Sequence, residues 1–303
     1  MDSLFYHKPP ALPAAALRLE SARMDERERR ARELGRLVGR CVTDWSLIDD
    51  GDRIMVCSSG GKDSYAMLDL LERLRRRAPI RFELLAVHLD QGDPEHDSGR
   101  LETWLRDNGF SYHLLREDIF GIVSQKVPEG ETRCALCSRL RRGILYNAAQ
   151  ELGCDKLALG HNLDDTIETL LLNLVYTGSI KAMPPKLRSD DGRNRVIRPL
   201  LYCTEEAIIA YARAADFPVV SCSLYDERQP SRRAQVKKLL AQLETISPRA
   251  KNSILAALGN VRVTHLLDRN LWQRLGIDGA VESPNGDEDE GGDQFVFVFL
   301  VLQ

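Results

Sequence analysis

The sequence predicts an α/β fold in which a parallel sheet carries helices on its two faces. Three observations predict it. From residue 52 onward, short apolar runs alternate with segments of helical period. The two loops richest in chemistry, Ile54-Met-Val-Cys-Ser-Ser-Gly-Gly-Lys-Asp-Ser64 and Leu159-Gly-His-Asn-Leu-Asp-Asp165, both follow such a run, and ligands sit at the carboxyl ends of strands in these sheets. With 303 residues and 43% hydrophobic content, the chain can bury one large core with additions, or two modest domains.

Residues 1–19 are expected to be a flexible start. Residues 20–49 read as a helix, charged from Asp25 to Arg32 and then apolar at Leu34, Leu37, Val38, Cys41 and Trp45, suited to lying on the core. Strands follow at Arg53–Cys57, Glu83–Leu89, Ser111–Leu115, Lys156–Leu159 and Val196–Ile197, with helices at 64–77, 97–108, 138–152, 165–176 and 204–215. The resulting domain spans 20–225. Residues 226–275, helical over 231–246 and 251–258 and ending near Trp272, read as a small C-terminal cap. Residues 276–303 are expected to be a disordered acidic tail, because Ser283–Gln294 lacks large apolar side chains, with an apolar end from Phe295 that reads as an edge strand or an aberrant extension.

The formal net charge of −3 hides an asymmetry. Residues 281–303 hold six acids and no Lys or Arg, which leaves 42 basic against 39 acidic residues in the rest. Arginines cluster at Arg133, Arg139, Arg141 and Arg142, around a cysteine pair, where phosphate contacts would hold a polyanion near a reacting group. Other basic runs, Arg73 to Arg77 and Arg232 to Lys238, read as solvated helix faces. No run reaches the roughly 18 apolar residues of a membrane helix, and no signal-peptide pattern opens the chain, so a cytoplasmic protein with no membrane partner is expected. Seven cysteines at irregular spacing point away from a disulfide framework and toward metal or sulfur chemistry.

In the first loop, Gly60 and Gly61 allow backbone N–H groups to approach an anion, the following helix adds orphan donors, Lys62 adds charge, and Ser58, Ser59 and Ser64 add hydroxyls. A Walker A loop would need Gly at 56 and Ser or Thr at 63, where this chain has Val56 and Asp63. A plain strand-to-helix turn with capping serines is the alternative. Cys134-Ala-Leu-Cys137 stands just before the helix expected at 138, a setting that lowers thiol pKa. Zinc would need two further ligands, an iron–sulfur cluster one or two, and a redox pair none. Cys41, Cys57, Cys154 and Cys203 read as small buried hydrophobes.

The string Ser59-Gly-Gly-Lys-Asp-Ser64 resembles the loop of the PP-loop ATP pyrophosphatases, with their adenine nucleotide α-hydrolase-like core. Over residues 20–272 the chain resembles one of their families, the tRNA-cytidine 2-sulfurtransferases (TtcA), through Leu89-Asp-Gln, Cys134-x-x-Cys-Ser-Arg-Leu-Arg-Arg-Gly-Ile-Leu-Tyr, Leu159-Gly-His, Met183-Pro-Pro-Lys and Ile197-Arg-Pro-Leu. The resemblance implies ATP-dependent 2-thiocytidine synthesis at position 32 of the tRNA anticodon loop, by adenylation of the C2 oxygen and sulfur transfer through a [4Fe-4S] cluster. It implies phosphate contacts from Ser58, Ser59, Gly60, Gly61, Lys62 and Ser64, Mg²⁺ or loop-orienting roles for Asp63, Asp164 and Asp165, and nucleoside contact at Asp90. Gly160 and His161 would face the α-phosphate, His161 having helix capping as its alternative and Asp90 a loop cap. Cys134 and Cys137 would be cluster ligands and catalytic groups, with tRNA held by Arg139, Arg141, Arg142 and Lys186. A sulfur donor such as a cysteine desulfurase and a homodimer are expectations from the family alone. The third family ligand lies in a distal Cys-x-x-Cys, but here the segment is Ser221-Cys-Ser-Leu-Tyr225, which leaves Cys222 as the candidate and Tyr225 in the second position. Alternatives are a cluster-free PP-loop tRNA modifier, like a lysidine synthetase, and an inactive tRNA- or nucleotide-binding relative.

Overall fold

The computed structural model describes residues 14–93, 98–127, 134–220 and 231–278. In chain order it contains α1 (Ala14–Asp44), β1 (Arg53–Cys57), α2 (Lys62–Arg75), β2 (Glu83–Asp90), α3 (Ser98–Asp107), β3 (Tyr112–Arg116), α4 (Ile119–Lys126), α5 (Cys134–Glu151), β4 (Lys156–Ala158), α6 (Leu163–Thr177), β5 (Lys186–Arg188), β6 (Arg195–Ile197), α7 (Glu205–Ala215), α8 (Arg232–Ile246), α9 (Ala250–Leu258), a 3₁₀ turn (Val263–His265) and α10 (Arg269–Leu275). The strands form one sheet in the order β3-β2-β1-β4-β6-β5, parallel except for the β5–β6 pair. The predicted α/β parallel sheet is therefore present, with one antiparallel edge strand.

Alternation along β1 sorts the core. Ile54 and Val56 face the larger cluster, where α1 contributes Ala31, Leu34, Val38 and Cys41, α2 contributes Leu68 and Leu71, and α7 contributes Ile208 and Tyr211. Met55 and Cys57 face the other side, against Leu145, Tyr146 and Ala149 of α5. The α1 positions fall at helical spacing, so a single stripe seats this long helix. Burying a Leu or Ile there stabilises by about 1.5–3 kcal/mol each. At the start of β4, Lys156 is 4% exposed and is held by Asp49 (2.7 Å) and Asp52 (2.6 Å).

Several expectations are corrected. The first helix ends at Asp44, so Trp45 lies beyond it, 40% exposed, with its indole N–H donating to Tyr202 Oη at 2.9 Å. The helix expected at 138 begins at Cys134, so the cysteine pair lies inside its first turn rather than before it. Several elements were not expected: α4, which Asp118 caps through the Gly121 N–H at 2.8 Å, β5, three exposed residues without an alternating pattern, and the 3₁₀ turn and α10 near the end of the cap. The Arg73–Arg76 run is also no bare solvated face, because Arg73 pairs with Glu28 and Asp69, and Arg75 and Arg76 with Glu72.

The described residues fall into two compact units that divide between Leu255 and Ala256. In the first, α8 packs on α6 through Leu240 against Leu163 and Ile167. In the second, Asp268 caps α10 and Trp272 Nε1 donates to the Val263 carbonyl at 3.1 Å. No helix among the described residues is long and apolar enough to cross a membrane. Residues 1–13, Cys222, Tyr225 and the acidic tail with its apolar end lie outside the described residues.

Candidate active site

Successive strands move outward in opposite directions from the adjacent pair β1 and β4, so the connections leaving their carboxyl ends diverge and open a crevice. A cavity of about 560 Å³ lies there. Its walls come from the loop after β1 (Cys57, Ser58, Ser59, Asp63, Ser64), the loop after β4 (Leu159, Gly160, His161, Asp165), α5 (Ser138, Arg141, Arg142, Leu145, Tyr146) and the β5–β6 edge (Leu187, Ser189, Asp190, Arg198).

The loop after β1 is built to leave donors free. Gly60 has φ 79°, a conformation glycine adopts at little cost, and Gly61 caps α2 without any side-chain cap. The first-turn N–H groups of α2 thus keep the partial positive charge that attracts phosphate. Ser59 Oγ accepts from Gly61 N–H at 3.3 Å, and Ser64 Oγ donates to the Gly61 carbonyl at 2.8 Å. Behind the loop, buried His88 Nδ1 is 2.8 Å from the Ser58 carbonyl, which can only accept, so Nδ1 donates. Lys62 Nζ bridges Asp63 (2.9 Å) and Glu205 (3.1 Å). Burial alone would pull the Lys62 ammonium down, but these two carboxylates hold it above its ordinary value. Burial likewise pushes the Glu205 carboxyl up, yet the bonds from Lys237 and Lys62 leave it lowered.

The loop after β4 is tied to the first. Asn162, 3% exposed, caps α6 by accepting from Asp165 N–H (3.1 Å) and donates from Nδ2 to Asp63 Oδ1 (3.0 Å), while Asp165 Oδ2 accepts from Asn162 N–H (3.1 Å). The cap is therefore Asn162 and not His161. Gly160 passes so close that an added Cβ would meet the Asp63 carbonyl carbon and Cβ at 3.3 Å. His161 Nδ1 accepts from Arg198 Nε at 3.2 Å. Burial, and then the guanidinium of Arg198, push the His161 imidazole down to about 4.

The structure separates the two aspartates. Asp165 lines the cavity, whereas Asp164 does not: its Oδ2 accepts from Glu205 N–H (2.7 Å) and its Oδ1 meets Lys251 (2.7 Å). Arg233 of α8 reaches Asp165 at 3.5 Å and Glu168 at 3.4 Å, so part of that basic run serves the site's acids rather than solvent. Asp90 accepts from Gly92 N–H at 3.0 Å, a loop cap, and does not line the cavity.

Cys134 and Cys137 are one helical turn apart, which puts them on one face of α5. Cys137 is buried among Leu89, Ile119 and Val123, and its thiol donates to Gln91 Oε1 at 3.2 Å. Its neighbour Ser138 lines the cavity. Among the described residues no three metal-ligating side chains converge. Val220, two residues before Cys222, donates its N–H to the Gly60 carbonyl at 3.0 Å, and Tyr65 Oη donates to the Pro218 carbonyl at 3.2 Å while its ring stacks on Phe217. The chain therefore leaves residue 220 from beside the phosphate loop. Arg141 and Arg142 line the cavity and are exposed; Arg139 and Lys186 are exposed but do not line it. None of the three arginines forms an ion pair with a described carboxylate.

Sequence reasoning gave no role to Asn162, Arg198, Gln91 or Glu205. Asn162 and Arg198 stood within strings that were read for their neighbours, and Cys57, taken as core, lines the cavity and is pushed up to about 12 by burial.

The sheet order and the uncapped phosphate loop define a nucleotide-phosphate-binding α/β domain, and residues 28–223 match the PP-loop domain family. A tRNA-cytidine(32) 2-sulfurtransferase of Sorangium cellulosum (strain So ce56) is 50% identical over 260 residues, 86% of this chain and 92% of the relative. One from Anaeromyxobacter sp. (strain Fw109-5) is 52% identical over 261 residues, 86% of each. The U34-tRNA thiolase NcsA from Methanococcus maripaludis, solved with its [4Fe-4S] cluster, superposes with a TM-score of 0.62 at 23% identity, covering 77% of this chain and 80% of that one, and so shares the fold. The chain belongs to the tRNA-cytidine(32) 2-sulfurtransferase family of PP-loop proteins.

Proposed function

We propose that the protein uses ATP to convert a cytidine of the tRNA anticodon loop, position 32, to 2-thiocytidine. The observation that carries this reading is that α5, which holds Cys134 and Cys137, lines the same cavity as the phosphate loop. A cluster-free, lysidine-synthetase-like modifier would have no use for a cysteine pair in that wall. ATP would place its phosphates against the first turn of α2, with Ser59 and Lys62 as donors and Ser64 joining them by releasing the Gly61 carbonyl, and Lys62 would exchange its contacts with Asp63 and Glu205 for phosphate oxygens. Of the cavity carboxylates Asp63, Asp165 and Asp190, the first two belong to the loops after β1 and β4 and would be available to Mg²⁺; Asp164 keeps α6, α7 and Lys251 together.

The cytidine C2 oxygen attacks the α-phosphorus, and the bond to the bridging oxygen breaks to release pyrophosphate. Hydrosulfide-level sulfur then attacks C2, the C2–O bond breaks, and AMP leaves with loss of a proton. Cys134 and Cys137, at one-turn spacing, suit a pair of cluster ligands, with Cys222 as the third. A bound [4Fe-4S] cluster, with one iron free of protein ligands, would carry the sulfide to be transferred. Arg141 and Arg142 would hold tRNA phosphates at the mouth, Arg139 and Lys186 flanking them, so that a single unstacked base enters. A cysteine desulfurase is the proposed class of sulfur source, with a thiol reductant bringing its persulfide sulfur to the hydrosulfide level.

The test is anaerobic incubation of the iron- and sulfide-reconstituted protein with ATP, sulfide and tRNA, measuring AMP, pyrophosphate and 2-thiocytidine. Equal AMP and thiolated base in wild type, with thiolation lost in Cys137→Ala, is the expected result. AMP without thiolation in wild type would favour a cluster-free modifier, and neither product an inactive binder.

A further inference from the structure

We propose that Arg198 is a positioning residue that fixes His161 as a neutral hydrogen-bond donor, its Nε2–H offered to a phosphoryl oxygen in the cavity. The inference rests on the ATP-dependent reading above and adds the protonation state and the residue that sets it.

Arg198 is 7% exposed. Its Nη1 donates to the Pro184 carbonyl at 2.7 Å, its backbone N–H to the Pro185 carbonyl at 2.9 Å, and its own carbonyl accepts from the Cys41 thiol at 3.6 Å. A side chain held from these directions has little freedom, so the direction of its Nε–H is set by the fold. That N–H points at His161 Nδ1, 3.2 Å away. A guanidinium keeps all its protons in a protein and accepts no hydrogen bond. Nδ1 must therefore present its lone pair, and the imidazole proton resides on Nε2.

Nε2 has no hydrogen-bond partner among the described residues, and His161 lines the cavity beside Gly160 and Ser59. A second proton would have to sit on Nδ1, against the Arg198 N–H. The charged groups facing the ring, Arg198, Arg233 and Arg141, all oppose an imidazolium, and Asp63 alone favours one. Arg198 forms no ion pair with a described carboxylate, so the corner keeps a buried positive charge beside the imidazole ring. His161 thus acts as a donor whose own charge never changes, and the cation belongs to Arg198. This differs from His88 across the loop, whose Nδ1 donates.

The experiment is two-bond ¹H–¹⁵N correlation of histidine side chains in the full chain at neutral pH, without ATP or tRNA, with the His161 signal assigned by its loss in His161→Gln. The expected spectrum shows an unprotonated Nδ1 and a protonated Nε2, and this pattern should shift toward a tautomer mixture in Arg198→Lys and Arg198→Gln. An Nδ1–H tautomer or an imidazolium in wild type would overturn the proposal, as would an unchanged signal in both Arg198 variants. Because this readout needs no substrate, it separates from failure of the sulfurtransferase reading. In tRNA-dependent AMP formation, His161→Gln, whose amide nitrogen can replace Nε2, should retain activity that His161→Asn loses by roughly a hundredfold. Arg198→Gln should cost a comparable factor in kcat with KM for ATP little changed, and little further in the His161→Asn background. Independent, multiplying effects of the two substitutions would refute the coupling.

Discussion

Asn162 is the most economical place to test whether the two loops act as one unit. Its side chain caps α6 at 3.1 Å and binds Asp63 Oδ1 at 3.0 Å across 99 residues of sequence. Removing a cap of this kind costs about 1 kcal/mol, and losing a buried hydrogen bond to a charged group costs about 1.5–3 kcal/mol. Asn162→Ala is expected to lower unfolding free energy by about 2.5–4 kcal/mol. Asn162→Ser keeps the cap oxygen and should lose only the Asp63 term, about 1.5–3 kcal/mol. Urea unfolding, followed by circular dichroism with the slope checked for constancy, gives both values. Because Asp63 also holds Lys62, tRNA-dependent AMP formation should fall in both variants at temperatures where they are folded. An Asn162→Ala cost below about 1 kcal/mol, or an Asn162→Ser variant with wild-type turnover, would refute the idea that this residue couples cap to phosphate loop.

Three further outcomes are expected. Gly160→Ala places a Cβ 3.3 Å from Asp63 backbone and Cβ atoms, an overpacking worth about 1–3 kcal/mol, and ATP binding by calorimetry should weaken with it. Lys156→Met strands Asp52, whose side chain is 10% exposed, and should cost about 3–5 kcal/mol in urea unfolding, most of which the double variant with Asp52→Leu recovers. The His161 imidazole is lowered from 6.5 to about 4, so the unfolded chain binds the extra proton between those values; its contribution to stability is fully present above about 6.5 and falls as pH drops toward 4, on the order of 3 kcal/mol, and His161→Gln should reduce the slope of pH-dependent unfolding by that amount.

Much of this protein is legible along the chain because the information is local. The β1 run, the glycine pair and the apolar period of α2 lie within a few turns of each other, and the Cys-x-x-Cys spacing already guarantees a shared helix face once α5 forms. α4 escaped notice because its signal is one capping aspartate before eight residues, and β5 because an exposed three-residue edge strand exists only through its pairing with Arg195–Ile197. The start of α5 at Cys134 corrects the boundary, which patterns locate less well than they locate elements.

The sequence by itself determined the fold class, the phosphate loop and the membership of Cys134, Cys137, His161 and Asp165 in candidate strings, since residue type and short spacing decide those. Only the tertiary structure decided which members face the cavity: Asp165 enters it and Asp164 turns to Glu205 and Lys251; Arg198 meets His161 across 37 residues; Lys62 meets Glu205. Such pairings depend on which strand ends the sheet order brings side by side. Their hydrogen bonds join groups far apart in the chain, so no local periodicity records them.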